Sequence, residues 1–295
     1  MPNNSNRRVA SSAVQVQYDG LSNVKNLGAG DSYYIAKFLK PSERSDMFFK
    51  ILNESDFVQM FHFKSNGTDV EPIPRLVTAQ TATGDSKTPV YRMPGCNERN
   101  IPTTPWTDTV QDMCARASSS VGQELNHCVL TLFRDQDDSL AFHQDKLLDL
   151  EDGSMILSLS LGAPRPILFY ANDTNEKQQI TLQPGSLLAI GPKTNKMFKH
   201  AIPKLAYNIG PRISLSVRTV KTFVESNKIV GKGEEYQDQN YPFCKSYCNN
   251  SDYSEDVQKK IDAYTENAAE QLKVIRELNA LGEDPVPLGG GNFLG

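Results

Sequence analysis

The chain is poor in the residues that build cross-linked or membrane-bound proteins. Five cysteines, Cys96, Cys114, Cys128, Cys244 and Cys248, make an odd count with no framework spacing. Free thiols in a reducing compartment are expected, rather than a disulfide scaffold. Cys244-Lys-Ser-Tyr-Cys248 resembles half a zinc site, but no second pair completes it. No apolar run approaches the length of a membrane span, and the opening MPNNSNRRVASSAVQVQ lacks an apolar core of signal-peptide length. The expectation is an intracellular protein, cytoplasmic or nuclear, with no membrane association. Histidines number four, His62, His127, His143 and His200, and Trp106 is the one tryptophan. Any imidazole site must be drawn from that short set.

What is present fits a globular protein. With 295 residues, 38% hydrophobic and 22% charged, the chain can bury one large core or two modest ones. The net charge of −4 conceals an asymmetry: residues 225–295 hold 7 basic and 13 acidic side chains. Between 191 and 221 stand seven basic residues, Lys193, Lys196, Lys199, Lys204, Arg212, Arg218 and Lys221, and no acid. Such a field favours an anionic partner. A solvated lysine loop beside two functional arginines explains it equally well.

Residues 1–30 are polar and are read as a mobile lead-in. Residues 41–53 read as a helix, with Pro41 in its first turn and Phe48, Phe49, Ile51 and Leu52 in later ones. Residues 56–105 alternate short apolar pieces with turn signals, and 106–121 reads as a second helix. Strand-rich sequence follows: Cys128–Phe133, Met155–Leu161, a strand-turn-strand from Ile180 to Ile190, and Arg212–Val220. Short strands separated by turns predict a two-sheet barrel or jelly roll. Residues 225–250 look like a linker. From 254 to 281 runs an amphipathic helix with Val257, Ile261, Tyr264, Ala268, Leu272, Ile275 and Leu278 on one stripe, Ser254 as N-cap and Gly282 beyond its end. That stripe is expected to pack on the barrel or on a partner helix. The tail 285–291 is read as disordered.

The chemistry concentrates between His143 and Arg218. His143-Gln-Asp145 puts an imidazole and a carboxylate on one face of an extended segment. His200 follows 55 residues later and must come from another strand. Two imidazoles and one carboxylate can bind one face of an octahedral Fe(II) and leave three positions open. A lone His-x-Asp is common by chance; a later His followed after 12 residues by Arg-x5-Arg is much rarer. His62 and His127 have no such company and are read as structural or exposed. Arg212 and Arg218 share a strand face with Ser214 and Ser216, while Ile213, Leu215 and Val217 take the packed face. Their Cα atoms lie roughly 20 Å apart, so their side chains can converge on the two ends of a small dicarboxylate. Burying two arginines without an anion is costly.

The wording HQDK, SLSLG, PGSLL, HAIP and RISLSVR, with Pro192-Lys-Thr-Asn195 ahead of His200, resembles the AlkB family of oxidative demethylases over roughly residues 70–221. The resemblance implies an α+β protein with a double-stranded β-helix (jelly-roll) core, N-terminal helices and a C-terminal helical tail. It implies a dioxygenase domain over 31–224, with a lid and substrate region near 56–105. The flexible segment 1–30 would precede it, and an acidic linker with the amphipathic helix, 225–295, would follow. It implies Fe(II) on His143, Asp145 and His200. 2-Oxoglutarate would be held by Arg212 at its distal carboxylate and by Arg218 near the chelating end, with Ser214 and Thr131 beside it and O2 as oxidant. The substrate would be alkylated DNA or RNA, with Tyr91 and Trp106 available to stack on a base and Arg92 to contact phosphate. Trp106 reads more readily as a core aromatic at a helix start.

Four places depart from the family. Its Asn-x-Tyr pair, which binds 2-oxoglutarate, is Thr131 and Phe133 here, and its Arg-x-Asn is Arg212-Ile-Ser214. The acid beyond the metal aspartate is Leu147, with Asp149 and Glu151 the nearest substitutes. These changes keep two rivals open: a hydroxylase or demethylase of a protein or small molecule, and a non-catalytic barrel whose C-terminal helix recruits a protein partner.

Overall fold

The computed structural model describes residues 15–63, 69–84, 86–92, 101, 103–237 and 254–280. Its strands, in chain order, are β1 (Gln15–Tyr18), β2 (Val24–Leu27), β3 (Ser32–Ile35), β4 (Val58–Phe63), β5 (Val70–Thr81), β6 (Thr88–Pro89), β7 (Thr103–Pro105), β8 (His127–Phe133), β9 (Leu140–His143), β10 (Ile156–Gly162), β11 (Arg165–Ala171), β12 (Lys177–Leu182), β13 (Ser186–Ile190), β14 (Phe198–Ile202), β15 (Arg212–Arg218), β16 (Thr222–Glu225) and β17 (Lys228–Gly231). The helices are α1 (Arg44–Glu54), α2 (Asp108–Val121), α3 (Pro192–Met197) and α4 (Glu255–Ala280). None of them is long and apolar enough to cross a membrane.

Nine strands form the larger sheet, ordered β2-β3-β13-β10-β15-β8-β5-β4 with β7 paired to β5. Five form the smaller, β1-β12-β11-β14-β9. Period-two alternation decides what each face of the large sheet meets. In β15, Ile213, Leu215 and Val217 join Leu157, Leu159 and Leu161 of β10 in a cluster with Phe48, Ile51 and Leu52 of α1 and Val110 and Met113 of α2. The opposite face turns inward, where Leu188, Ile190, Ile167, Phe169 and Ile202 fill the space between the two sheets. Arg212, Ser214, Ser216 and Arg218 therefore enter the barrel, opposite Phe133, Thr131, Val129 and His127 of β8. This is the jelly-roll core expected from the sequence.

Helix ends follow local chemistry. Thr107 caps α2, accepting from the Val110 amide at 3.4 Å, so the helix begins at Asp108 rather than at Trp106. Gly122 closes it at φ 67°. Pro41 opens a 3-10 turn that leads into α1. The Ser254 hydroxyl accepts from the Val257 amide at 3.3 Å at the start of α4. Val257, Ala268, Leu272 and Ile275 are buried, the last three in the cluster on the barrel's helical face, whereas Tyr264 is partly exposed beside Phe61. The stripe thus packs on its own barrel.

Two stretches differ from the sequence reading. Residues 15–18 and 24–27 are strands: β1 pairs with the distant β12 and β2 with the next strand, β3, so the polar lead-in is tied into the sheets. Residues 225–231, expected in a linker, belong to the hairpin β16–β17, which pairs with β6. Residues 58–63 and 70–81 are strands of the large sheet, and β5 pairs with β8 along six residues. The 244–248 cysteine pair and the tail 285–291 lie outside the described residues.

Candidate metal and co-substrate site

His143 ends β9 and stands directly opposite His200 of β14, with the ring centroids 4.2 Å apart. Asp145 follows two residues later in a loop fixed by Asn195 of α3. The Asp145 amide donates to Asn195 Oδ1 at 2.9 Å, and Asn195 Nδ2 returns a bond to the Asp145 carbonyl at 2.9 Å. Gln144 Nε2 adds bonds to the carbonyls of Asn195 and Lys196, each 2.7 Å. Ligand atoms of His143, Asp145 and His200 all lie within 4.8 Å of one another.

The protonation states suit a cation. His143 Nδ1 sits 2.9 Å from the Ala141 carbonyl, so that nitrogen donates and Nε2 is the atom turned to the site. Nε2 faces Asp145 Oδ1 at 3.5 Å. The other carboxylate oxygen, Oδ2, is taken by Arg218 Nη2 at 2.6 Å and Nε at 3.0 Å. Arg218 thus leaves Asp145 one free oxygen. Burial alone would raise the Asp145 pKa; the Arg218 charge and the His143 contact hold it well below the usual carboxylate range. Burial, with the neighbouring His143, pushes His200 down to about 3. It stays neutral, and its buried Nδ1 has no protein partner. Two imidazoles and one ionised carboxylate oxygen are a donor set that fits Fe(II).

Deeper in the barrel, Arg212 is 1% exposed. Its Nη2 donates to Ser160 Oγ at 2.9 Å and to Ser214 Oγ at 3.3 Å, while Nε and Nη1 have no partner. Ser158 and Ser214 hydroxyls meet at 3.1 Å, and Thr131 faces Ser214 across the ladder. The inner face of the sheet is therefore polar between two guanidiniums. Unsatisfied buried donors at Arg212 fit a bound carboxylate.

The other expected residues are placed differently. Tyr91 lies with its ring 4.7 Å from the Arg218 guanidinium and its edge toward His127, and its hydroxyl accepts from the Lys146 amide at 3.2 Å. It braces the Arg218–Asp145 pair and is half-buried. Arg92 is fully buried, with Nη2 2.5 Å from Asp149 Oδ1 and Nη1 donating to the Tyr236 carbonyl, so it is a structural tie and not a phosphate contact. Asp149 is consumed by the same pair, and Glu151 pairs with Lys221 at the surface. Trp106 packs against the helix-side cluster, on the other face of the large sheet from the triad. Leu147 is 48% exposed beside the site. The sequence reading did not single out Arg165, fully buried at the start of β11. Its signal is an arginine in phase with buried Ile167, Phe169 and Ala171.

Known proteins resemble this chain. The family model described as the 2OG-Fe(II) oxygenase superfamily matches residues 31–218. The mouse protein named DNA oxidative demethylase ALKBH2 is 29% identical over 124 residues, covering 39% of this chain and 52% of its own. Human alpha-ketoglutarate-dependent dioxygenase alkB homolog 3 is 27% identical over 128 residues, 40% of this chain and 45% of its own. The chain spans about half the length of these curated relatives. A solved structure of OsALKBH1 superposes with a TM-score of 0.41 at 17% identity, over 64% of this chain and 97% of that one. The superfamily match takes in both histidines, the aspartate and both inward arginines of β15 and covers well over half the sequence: this chain belongs to the 2OG-Fe(II) oxygenase superfamily.

Proposed function

We propose that the protein is an Fe(II)- and 2-oxoglutarate-dependent dioxygenase that hydroxylates a C–H bond, and that it oxidatively demethylates alkylated DNA or RNA. The observation that carries this reading is the shared geometry of Asp145: Oδ2 bound by Arg218 and Oδ1 turned to His143 and His200. Iron, when bound, would supply O2 activation coupled to decarboxylation of the 2-oxo acid. The chain's own residues do the rest. His143, Asp145 and His200 present three donors on one side and leave the opposite side to exogenous ligands. Arg218 orients the carboxylate and holds it ionised. Arg212, Ser160, Ser214 and Thr131 line the route for the dicarboxylate. Asn195 and Gln144 hold the ligand loop in register.

The names of the relatives support a nucleic-acid substrate, as does the basic stretch 191–221. Base contacts would come from residues other than Arg92 and Trp106, which the fold uses internally. The exposed Leu147 favours a second reading, an apolar substrate on a protein or small molecule. Free, buried Cys114 and Cys128 suit a reducing intracellular compartment. Succinate release, assayed with Fe(II), 2-oxoglutarate and O2 over methylated oligonucleotides, peptides and no substrate, tests this. Stimulation by methylated oligonucleotides with formaldehyde release is expected. Stimulation by peptides alone would move the substrate to protein, and no 2-oxoglutarate turnover at all would reject the enzyme.

A further inference from the structure

Among the described residues, four arginines are buried to 5% exposure or less: Arg92, Arg165, Arg212 and Arg218. Arg92 holds Asp149 and Arg218 holds Asp145. Arg165 and Arg212 hold no carboxylate. Arg165 donates through Nη1 to the Asp138 carbonyl at 3.2 Å and through Nη2 to the Asp135 carbonyl, both neutral partners. Its Nε, like Nε and Nη1 of Arg212, is buried without any partner. A guanidinium taken out of water is costly unless an anion meets it. Here two are taken out together.

They are also neighbours. Gly162 stands opposite Arg212 in the β10–β15 ladder, and there the chain crosses from the large sheet to the small one. Gly162 has φ +81°, and a Cβ there would fall 2.3 Å from the Pro211 carbonyl, so the crossover hugs the start of β15. Arg165 follows three residues later. Both guanidiniums pack on the ring of Phe133, at 5.7 Å for Arg165 and 5.3 Å for Arg212. Burial, with the Arg165 charge beside it, draws the Arg212 pKa down to about 9. Two like charges, three unpartnered donor nitrogens and an aromatic ring thus lie together, six residues along β15 from Arg218.

We propose that Arg165 joins Arg212 in a clamp at the distal carboxylate of the 2-oxo acid co-substrate, with Phe133 as the apolar wall, and that Arg165 thereby adds to the preference for a dicarboxylic over a monocarboxylic 2-oxo acid. The proposal rests on the co-substrate reading above. Phe133 offers no hydroxyl to the carboxylate, and Arg165 provides the second set of donors. The Asp135 and Asp138 carbonyls aim the guanidinium, and the carboxylates of these two residues act on it through space, that of Asp138 being held by Arg134.

The test is calorimetric binding to the full chain loaded with Mn(II), which does not turn over. The ligands are 2-oxoglutarate and 2-oxopentanoate, which has the same carbon chain but a methyl in place of the distal carboxylate. The unmodified protein should bind 2-oxoglutarate far more tightly. Arg165→Gln should lose about tenfold or more toward 2-oxoglutarate, as expected for removing charge-assisted hydrogen bonds, and leave 2-oxopentanoate unchanged. Arg165→Lys keeps the charge and the folding risk low; it should lose severalfold toward 2-oxoglutarate alone. Unchanged 2-oxoglutarate affinity in Arg165→Lys, or equal loss of both ligands in a folded Arg165→Gln, overturns the clamp. If the unmodified protein binds neither acid, the co-substrate reading fails and the clamp falls with it. Tight 2-oxoglutarate binding with no effect at Arg165 rejects the clamp alone.

Discussion

Asp145 serves two masters: one oxygen for a cation, the other for Arg218. The two metal-ligand positions therefore differ as experimental targets. His143 is partly exposed and bonded only to a nearby carbonyl. His143→Ala should leave the metal-free protein within about 1 kcal/mol of its original stability. Asp145→Ala strands a buried guanidinium and should cost about 3–5 kcal/mol. Urea denaturation of the two metal-free variants compares them; equal stability would mean that Arg218 finds another partner. His127 supplies a pH signature. Burial, then the facing Arg218 charge, lowers its pKa from 6.5 to about 3. The folded state therefore refuses a proton that the unfolded chain accepts below about pH 6.5. This contribution is present above that pH and is lost as pH falls toward 3. Denaturation midpoints of the metal-free protein should fall between pH 7.5 and 5.5, and less steeply in His127→Gln. A parallel fall in both would assign the acid sensitivity elsewhere.

Among the elements, α4 shows what holds the C-terminal region. Its residues Ala268, Leu272 and Ile275 join the cluster under α1 and β8, and Arg134 Nη1 ties Gln271 to the turn after β8 at 2.8 Å. Leu272→Ala should cost about 2–4 kcal/mol in chemical denaturation; an unchanged midpoint would show a helix that stands free of the barrel. The stripe of α4 was legible because 26 helical residues average out local noise. So was β15, whose alternation sorts arginines and serines from Ile213, Leu215 and Val217. Four-residue strands such as β1, β2 and β17 are too short to carry such a pattern, and β1 finds its partner, β12, far along the chain. Arg92 was misread for a related reason: its carboxylate, Asp149, is 57 residues away, and only the fold joins them. Asn195 and Arg165 show the same limit from the other side. Both are polar residues whose importance comes from what the crossovers place beside them.

At the scale of the whole molecule, charge and function are separated in space. The acidic α4 lies along β4, β5 and α1, on the helical face, while the triad opens between the sheets. The acidic helix is therefore not placed to screen the basic stretch 191–221. A shortened chain should end at residue 237, not at 224, because the β16–β17 hairpin and the Gly233 and Tyr236 carbonyls anchor Arg92. Such a chain should lose stability yet bind oligonucleotides with the same affinity and the same salt slope as the full chain. A tighter, steeper-sloped interaction at low salt would show that the acidic region does shield the basic surface. Underneath all of this stands the metal centre on which the proposed chemistry depends. Its most direct test is an anaerobic Fe(II) titration of the full chain and of His143→Ala, each followed by 2-oxoglutarate and by succinate release on admitting O2. One Fe(II) per chain and turnover in the original protein are predicted, with both lost in a His143→Ala variant whose circular dichroism is unchanged. Stoichiometric Fe(II) binding and succinate formation by that variant would contradict the assignment.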